Sequence, residues 1–412
     1  MKNREERKTK HIYWWLRPDI LILLFIIPMY SFIYLFYRGK NMNSLTNYFD
    51  FSYFLIGLIL LLIFSYGCFL GKKIKISKIK KYSSKGVSNI TLDALAMVTI
   101  FSYFLWFHQI LLNPMYLVGA LTGQYSTYFF RDTISTLPGL TTFTQMGILY
   151  ISLYCWIRFK EKNTLKLRMT VYFYLILLLT LFRVVVWSER LALIEIVIPI
   201  VLIFFVKKLN RVKLFNLLPV FGISALVVLF TITEYFRSWH FRKYTVNQSI
   251  WEYCTDRILL YYSTAINNGV GRIENYGVLS GRFMENLLAP IYNIPYISNL
   301  FPDNVFNVTN ADFLNAYADL EFNNPSGLFM ILYDTGYIGS LLYVLLIGVI
   351  TGNLYSRFIN DNLLGVMLYP IFYINLIEIL RIPYVGTTRA FYPLVFGIII
   401  YVVNNKIKLK HK

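Results

Sequence analysis

The side chains best suited to chemistry in this chain are arginines. Arg237, Arg242, Arg257, Arg272 and Arg282 fall in one stretch, 234–325, which is rich in Tyr and Asn and interrupts an otherwise apolar sequence. Arg183, Arg190, Arg381 and Arg389 stand at the ends of apolar runs on either side of it. Guanidinium grips phosphate or carboxylate with a planar fork and stays charged when buried. Each arginine could instead pair with one of the nine acids between Glu234 and Glu321. For the set, an anionic ligand is the stronger reading. The candidate anion-binding residues are Arg183, Arg190, Arg237, Arg257, Arg282, Arg381 and Arg389.

The same stretch carries groups able to move a proton: His240, Asp256, Glu274, Glu285, Asp303, Asp312, Asp319 and Glu321. His240 titrates in the useful range, and Arg237, Arg242 and Lys243 beside it favour its neutral, basic form. His240 and Asp256 are taken as the candidate catalytic residues. Aromatics interleaved with carboxylates and amides suit sugar rings, although aromatics also gather at any membrane interface. There is no Walker A loop, no His/Cys metal spacing and no G-x-S-x-G elbow, so neither a metal nor a cofactor is expected. Cys68, Cys155 and Cys254 form no disulfide framework.

The elements that must position these groups are membrane helices. The 412 residues are 57% hydrophobic and 18% aromatic, with a mean hydropathy of +0.53, outside the range of soluble domains. Runs long enough to cross a bilayer fall at about 19–37, 51–70, 90–112, 140–157, 170–187, 191–206, 214–233, 326–351, 363–380 and 389–404. The expected fold is therefore all-α and polytopic, with about ten transmembrane helices. Its regions are 1–233 (seven spans), 234–325 (one large, partly helical extracytoplasmic loop) and 326–412 (three spans and a tail). Within the loop, 234–262 reads as an interfacial helical stretch, 263–310 as Asn-, Gly- and Pro-rich, and 311–322 as a short amphipathic helix. Residues 113–139 are mixed in polarity and could hold a re-entrant segment.

Lysine-rich connections follow spans two, four and six, and both termini are lysine-bearing, so both termini are placed in the cytoplasm. The charged start MKNREERKTKH leads into a full span, so no cleaved signal peptide is expected. On this assignment the inner segments hold twenty lysines and seven arginines, the outer segments eleven arginines and two lysines. The net charge of +19 thus belongs to membrane topology, not to nucleic-acid binding. Arg183 near a span interior calls for a cavity or a partner, since an intramembrane arginine costs about 2.5–3.5 kcal/mol on insertion scales. Glu195 is a candidate partner for Arg190, and Glu378 for Arg381 at i,i+3 spacing.

Three passages resemble the Wzy-type O-antigen and capsular polysaccharide repeat-unit polymerases. They are VVVWSERLALIEIVIPIVLIFF, the long outward loop with YYSTAINNG, and NPSGLFMILYDTGYIGSLLYVLLIGVITGNLY, in which Asp334, Gly336 and Gly339 form a D-x-G-x-x-G arrangement. The likeness runs from about span five to span ten, and its glycines also suit close helix packing. It implies a glycosyltransferase of the bacterial cytoplasmic membrane that moves a growing glycan between undecaprenyl-pyrophosphate-linked oligosaccharides. Donor and acceptor glycolipids, membrane lipid, a chain-length regulator and a flippase of the same pathway are the implied partners. A lipid-linked glycan ligase shares this architecture. A flippase is the alternative from another class, disfavoured by the single large loop and the absence of visible internal repeats.

Overall fold

The computed structural model describes residues 13–38, 46–74, 87–122, 124–125, 129–130, 133–134, 139–160, 165–187, 189–208, 212–239, 248–280, 283–294, 297, 300 and 310–410. Among these there is helix and no strand. Seven helices are long and apolar enough to cross a membrane. They are α1 (Pro18–Tyr37), α2 (Phe51–Lys73), α3 (Asn89–Leu112), α5 (Leu140–Lys160), α6 (Leu167–Trp187), α8 (Lys213–Glu234) and α11 (Gly327–Ile359). Three more helices lie over the remaining apolar runs: α7 (Arg190–Lys207), α12 (Leu363–Glu378) and α13 (Thr388–Lys410). The chain has the organisation of a polytopic membrane protein.

Local chemistry starts these helices where they start. Asp50 accepts from Tyr53 N at 2.9 Å to cap α2, Ser88 caps α3, and Asn362 caps α12. Lys72 and Lys73 close α2, where a cation meets the negative end of the helix dipole. The 16-residue α12 is buried along nearly its whole length and apolar all round, the signature of an interior helix. α2 and α11 approach through glycines: a Cβ on Gly348 would lie 2.6 Å from Phe64 O and 3.0 Å from Gly67 Cα. Only residues without side chains allow that backbone separation.

The connection 113–139 contains a short helix, α4 (Pro114–Thr122), and much of its remainder lies outside the described residues. The long loop is partly helical, and one of its helices runs past the interfacial stretch 234–262 into the Asn- and Gly-rich part. The run YYSTAINNG lies in the middle of a 27-residue helix, α9 (Ile250–Tyr276), opened by a capping box of Ser249 and Glu252. Asn267 Oδ1 accepts from Tyr48 N (2.8 Å) and Phe49 N (3.2 Å), and Asn268 Nδ2 donates to Phe322 O (2.7 Å). The amides stitch α9 to neighbouring backbone, and Gly269 lets it lie against Pro325 and Phe329. Tertiary contact outweighs weak helix propensity here. The amphipathic segment forms a shorter helix, α10 (Asn310–Tyr317).

Ionisable groups collect at the two ends of the bundle. At one end Lys72 pairs with Asp19 (2.7 Å), Arg168 with Asp93, and Lys207 with Asp361. At the other, the C-terminal ends of α6, α8 and α12 meet the N-terminal ends of α7 and α13 beneath α9. Most of the arginines singled out above are there.

Candidate functional site

Arg183 lies about one turn before the end of α6, with its side chain 3% exposed. Its Nε donates to Glu189 Oε2 at 2.7 Å, its Nη2 makes a second short bond to the same oxygen, and its Nη1 donates to Thr144 Oγ1 at 3.0 Å. The guanidinium also lies over the Trp106 ring, 4.7 Å from its centroid. Arg389, at the start of α13, reaches the same carboxylate through Nη1 (3.2 Å). Its Nε and Nη2 form a bidentate fork on Glu195 of α7, both bonds 2.7–2.8 Å long. Tyr384 OH donates to Glu195 Oε1 at 2.8 Å. With its amide turned to suit its neighbours, Gln145 donates to Glu195 and accepts from Arg183 and Arg389.

Two positive charges thus meet two negative ones. Burial pushes the Glu189 carboxyl up, but Arg183 and Arg389 outweigh it and bring it to about 2. Burial pushes the Tyr384 hydroxyl well above its ordinary range and Glu195 adds to that, so Tyr384 remains a donor. The cluster walls a cavity of about 410 Å³. Arg183, Arg389 and Glu189 form one part of the wall; Trp106, Trp187, Gln145, Thr141, Thr142 and Thr388 form the rest. The indole rings of Trp106 and Trp187 meet edge to face with centroids 5.4 Å apart.

A second cluster stands beside the first. Arg190, the residue after Glu189, donates from Nε to Thr233 Oγ1 (2.7 Å), makes a short bond to Glu234, and lies over the Phe230 ring. Glu234 is fully buried and also faces Arg257 of α9, Nε to Oε1 2.9 Å, while Arg257 Nη2 reaches Glu321. Ser238 and Tyr253 complete the shell. This cluster ties the long loop to α7 and α8 through buried charge. Arg381 pairs with Glu378 at 2.7 Å, as their spacing suggested, and stands beside Tyr261 and Tyr262.

The sequence expectation that Glu195 serves Arg190 is not met. Five residues along a helix turn the two side chains about 140° apart, so Glu195 faces α13 and takes Arg389, while Arg190 faces α8 and takes Glu234. Of the candidate anion-binding residues, Arg183, Arg190, Arg257, Arg381 and Arg389 are brought to one end of the bundle, each against a carboxylate. Only Arg183 and Arg389 line the cavity. Asp256 is half-buried on the other face of α9 from Arg257, with Gln248 Nε2 at 3.4 Å and Tyr37 as its neighbours. His240 and Arg282 lie outside the described residues, as does the side chain of Arg237.

The reading by sequence passed over Trp106, Trp187, Gln145 and Glu234 as site residues. Only Glu234 left a signal, an acid at a span end. Arg272 is also buried, 4.3 Å from the Tyr333 ring centroid and 3.2 Å from Asn286 Oδ1. Beside it Asp334 accepts from Asn286 N, Asn286 Nδ2 and Leu287 N at 2.7–2.8 Å. Asp334 thereby holds loop backbone against α11, just before the break at Gly336, where φ is +68°.

No family model matches the chain, and no curated protein or solved structure is significantly similar to it. Function has to be read from the residues themselves.

Proposed function

We propose that this protein is a membrane-embedded glycosyltransferase that polymerises undecaprenyl-pyrophosphate-linked oligosaccharide repeat units at the outer face of the bacterial cytoplasmic membrane. In this reading α7, α12 and α13 cross with the seven longer helices, and the lysine-rich ends and both termini face the cytoplasm. The observation that carries it is the cavity lined by Arg183 and Arg389 together with Trp106, Trp187 and the threonines Thr141, Thr142 and Thr388. The two indoles give apolar surface for sugar CH groups, hydroxyls and amides take sugar hydroxyls, and guanidinium answers the charge of a departing diphosphate. The acceptor hydroxyl attacks the anomeric carbon, the lipid diphosphate leaves with the bonding electrons, and a base takes the hydroxyl proton. His240 and Asp256 are the bases the sequence offers.

The test is to delete the gene and size the surface polysaccharide. Single repeat units in place of polymer support the proposal. Polymer that accumulates on lipid without transfer points to the ligase reading, and complete loss of outward export to a flippase; either result overturns it. Restoring the gene with Trp106→Ala and Trp187→Ala is expected to leave short chains, because the cavity then loses both of its indole side chains.

A further inference from the structure

We propose that Glu189 occupies an anion position between Arg183 and Arg389, and that a diphosphate group binds by replacing it there. The inference rests on the functional reading above only in taking the diphosphate as that of a polyprenyl lipid.

Four observations carry it. A single oxygen, Glu189 Oε2, receives Arg183 Nε, Arg183 Nη2 and Arg389 Nη1. One carboxylate oxygen is thus doing what several phosphate oxygens do in a bidentate guanidinium pair. The neighbouring Glu195 is held differently: it takes both prongs of Arg389 and the Tyr384 hydroxyl, and its side chain is 2% exposed. The Glu189 side chain is 23% exposed and lines the cavity. Finally, Glu189 precedes α7 with non-helical backbone (φ −92°, ψ 82°) and makes no side-chain cap, so its carboxylate is not needed to start the helix.

Removing Glu189 from this position changes the electrostatics of Arg183 most. Its other contacts are Thr144, Gln145 and the face of Trp106, all neutral. A buried guanidinium left with neutral partners is uncompensated, so an entering anion is drawn to it. Arg389 keeps Glu195 and remains in place as the second wall. A diphosphate brings more charge and more acceptor oxygens than one carboxylate, enough for both guanidinium groups and for the Thr388 hydroxyl that also lines the cavity. Glu189 in turn keeps the two arginines oriented and closed to weaker anions until the diphosphate arrives.

The experiment is calorimetric titration of sodium pyrophosphate into the purified full-length protein in detergent, at fixed ionic strength. An internal competitor that holds the site most of the time weakens apparent affinity by the fraction of time the site is open. Glu189→Ala is therefore expected to tighten pyrophosphate binding about tenfold or more. The double variant Arg183→Ala with Glu189→Ala is expected to lose that gain. Glu189→Gln, which keeps the volume and removes the charge, tightens binding in the same direction and serves if the alanine variant does not fold. Unchanged or weaker binding in the variant that folds, or a gain that survives loss of Arg183, overturns the proposal. Farnesyl pyrophosphate binding more tightly than inorganic pyrophosphate assigns the site to a lipid diphosphate, and equal binding to the free anion. Because binding is read apart from polymer length, tightened binding in a protein that makes no polymer removes the enzymatic reading and keeps this one.

Discussion

Glu189 and Arg190 are neighbours in the chain but serve opposite clusters: Glu189 accepts from Arg183 and Arg389, while Arg190 donates to Glu234. One peptide bond joins the cavity wall to the network that holds the long loop. Movement of the first residue is therefore mechanically linked to the second.

The lysine test separates charge from geometry at the cavity. Arg183→Lys and Arg389→Lys keep the positive charge but lose the fork. Each is expected to cut polymer formation by about tenfold or more, since removing one oriented donor to a developing anion costs that much or greater. Polymer of full length and amount in the double lysine variant, sized on gels, would sink the diphosphate role of both residues.

Glu234 is expected to be the most stability-sensitive acid at this end of the bundle. It is fully buried between Arg190 and Arg257, and truncating one partner of such a set leaves charge uncompensated. Glu234→Ala should cost about 3–5 kcal/mol in unfolding experiments on the purified protein. A cost no larger than that of Glu252→Ala, an exposed capping residue, contradicts the network's structural role.

Acid should uncouple Glu189. Its carboxyl lies at about 2 in the folded protein against an ordinary 4.5. A depressed value contributes stability that is fully present above the unfolded value and is lost as pH falls towards the folded one. The difference in melting temperature between wild type and Glu189→Gln should hold steady from neutral pH down to about 5 and shrink below 4.5. A difference that shrinks between pH 7 and 5 would show that the two arginines do not hold this group.

Gly269 tests the packing of α9 in its Asn- and Gly-rich part. A Cβ there would lie 2.5 Å from Pro325 O and 2.7 Å from Phe329 Cβ. Gly269→Ala raises intrinsic helix propensity yet is expected to destabilise by about 1–3 kcal/mol, because overpacking prevails. A more stable variant on heating would mean that α9 does not lie against the start of α11.

Asp334→Ala removes the acceptor for Asn286 N and Leu287 N. Each buried donor left without an acceptor costs about 1–3 kcal/mol. Hydrogen exchange of residues 283–292 should quicken selectively while α12 stays protected. Uniform change, or none, argues against Asp334 as the tether of this loop.

What the sequence decided by itself is what depends on local sums. Insertion into a bilayer follows the hydropathy of about twenty consecutive residues, so the apolar helices fell close to where the composition put them. The Glu378–Arg381 pair was legible for the same reason, being three residues apart on one stretch. The 263–276 part of α9 was not, because its Asn and Gly residues favour a helix only when Tyr48, Phe49 and Phe322 supply backbone partners. Partners of the arginines were beyond reach as well: Arg389 finds Glu195 across 194 residues, and Arg190 finds Glu234 across 44. Composition could gather arginines at one end of the bundle. Which of them meet a carboxylate, and which open onto a cavity with Trp106 and Trp187, depends on which helix ends converge and how each is rotated. Only the tertiary structure sets those two quantities, since ion pairing needs contact distances that hydropathy does not encode.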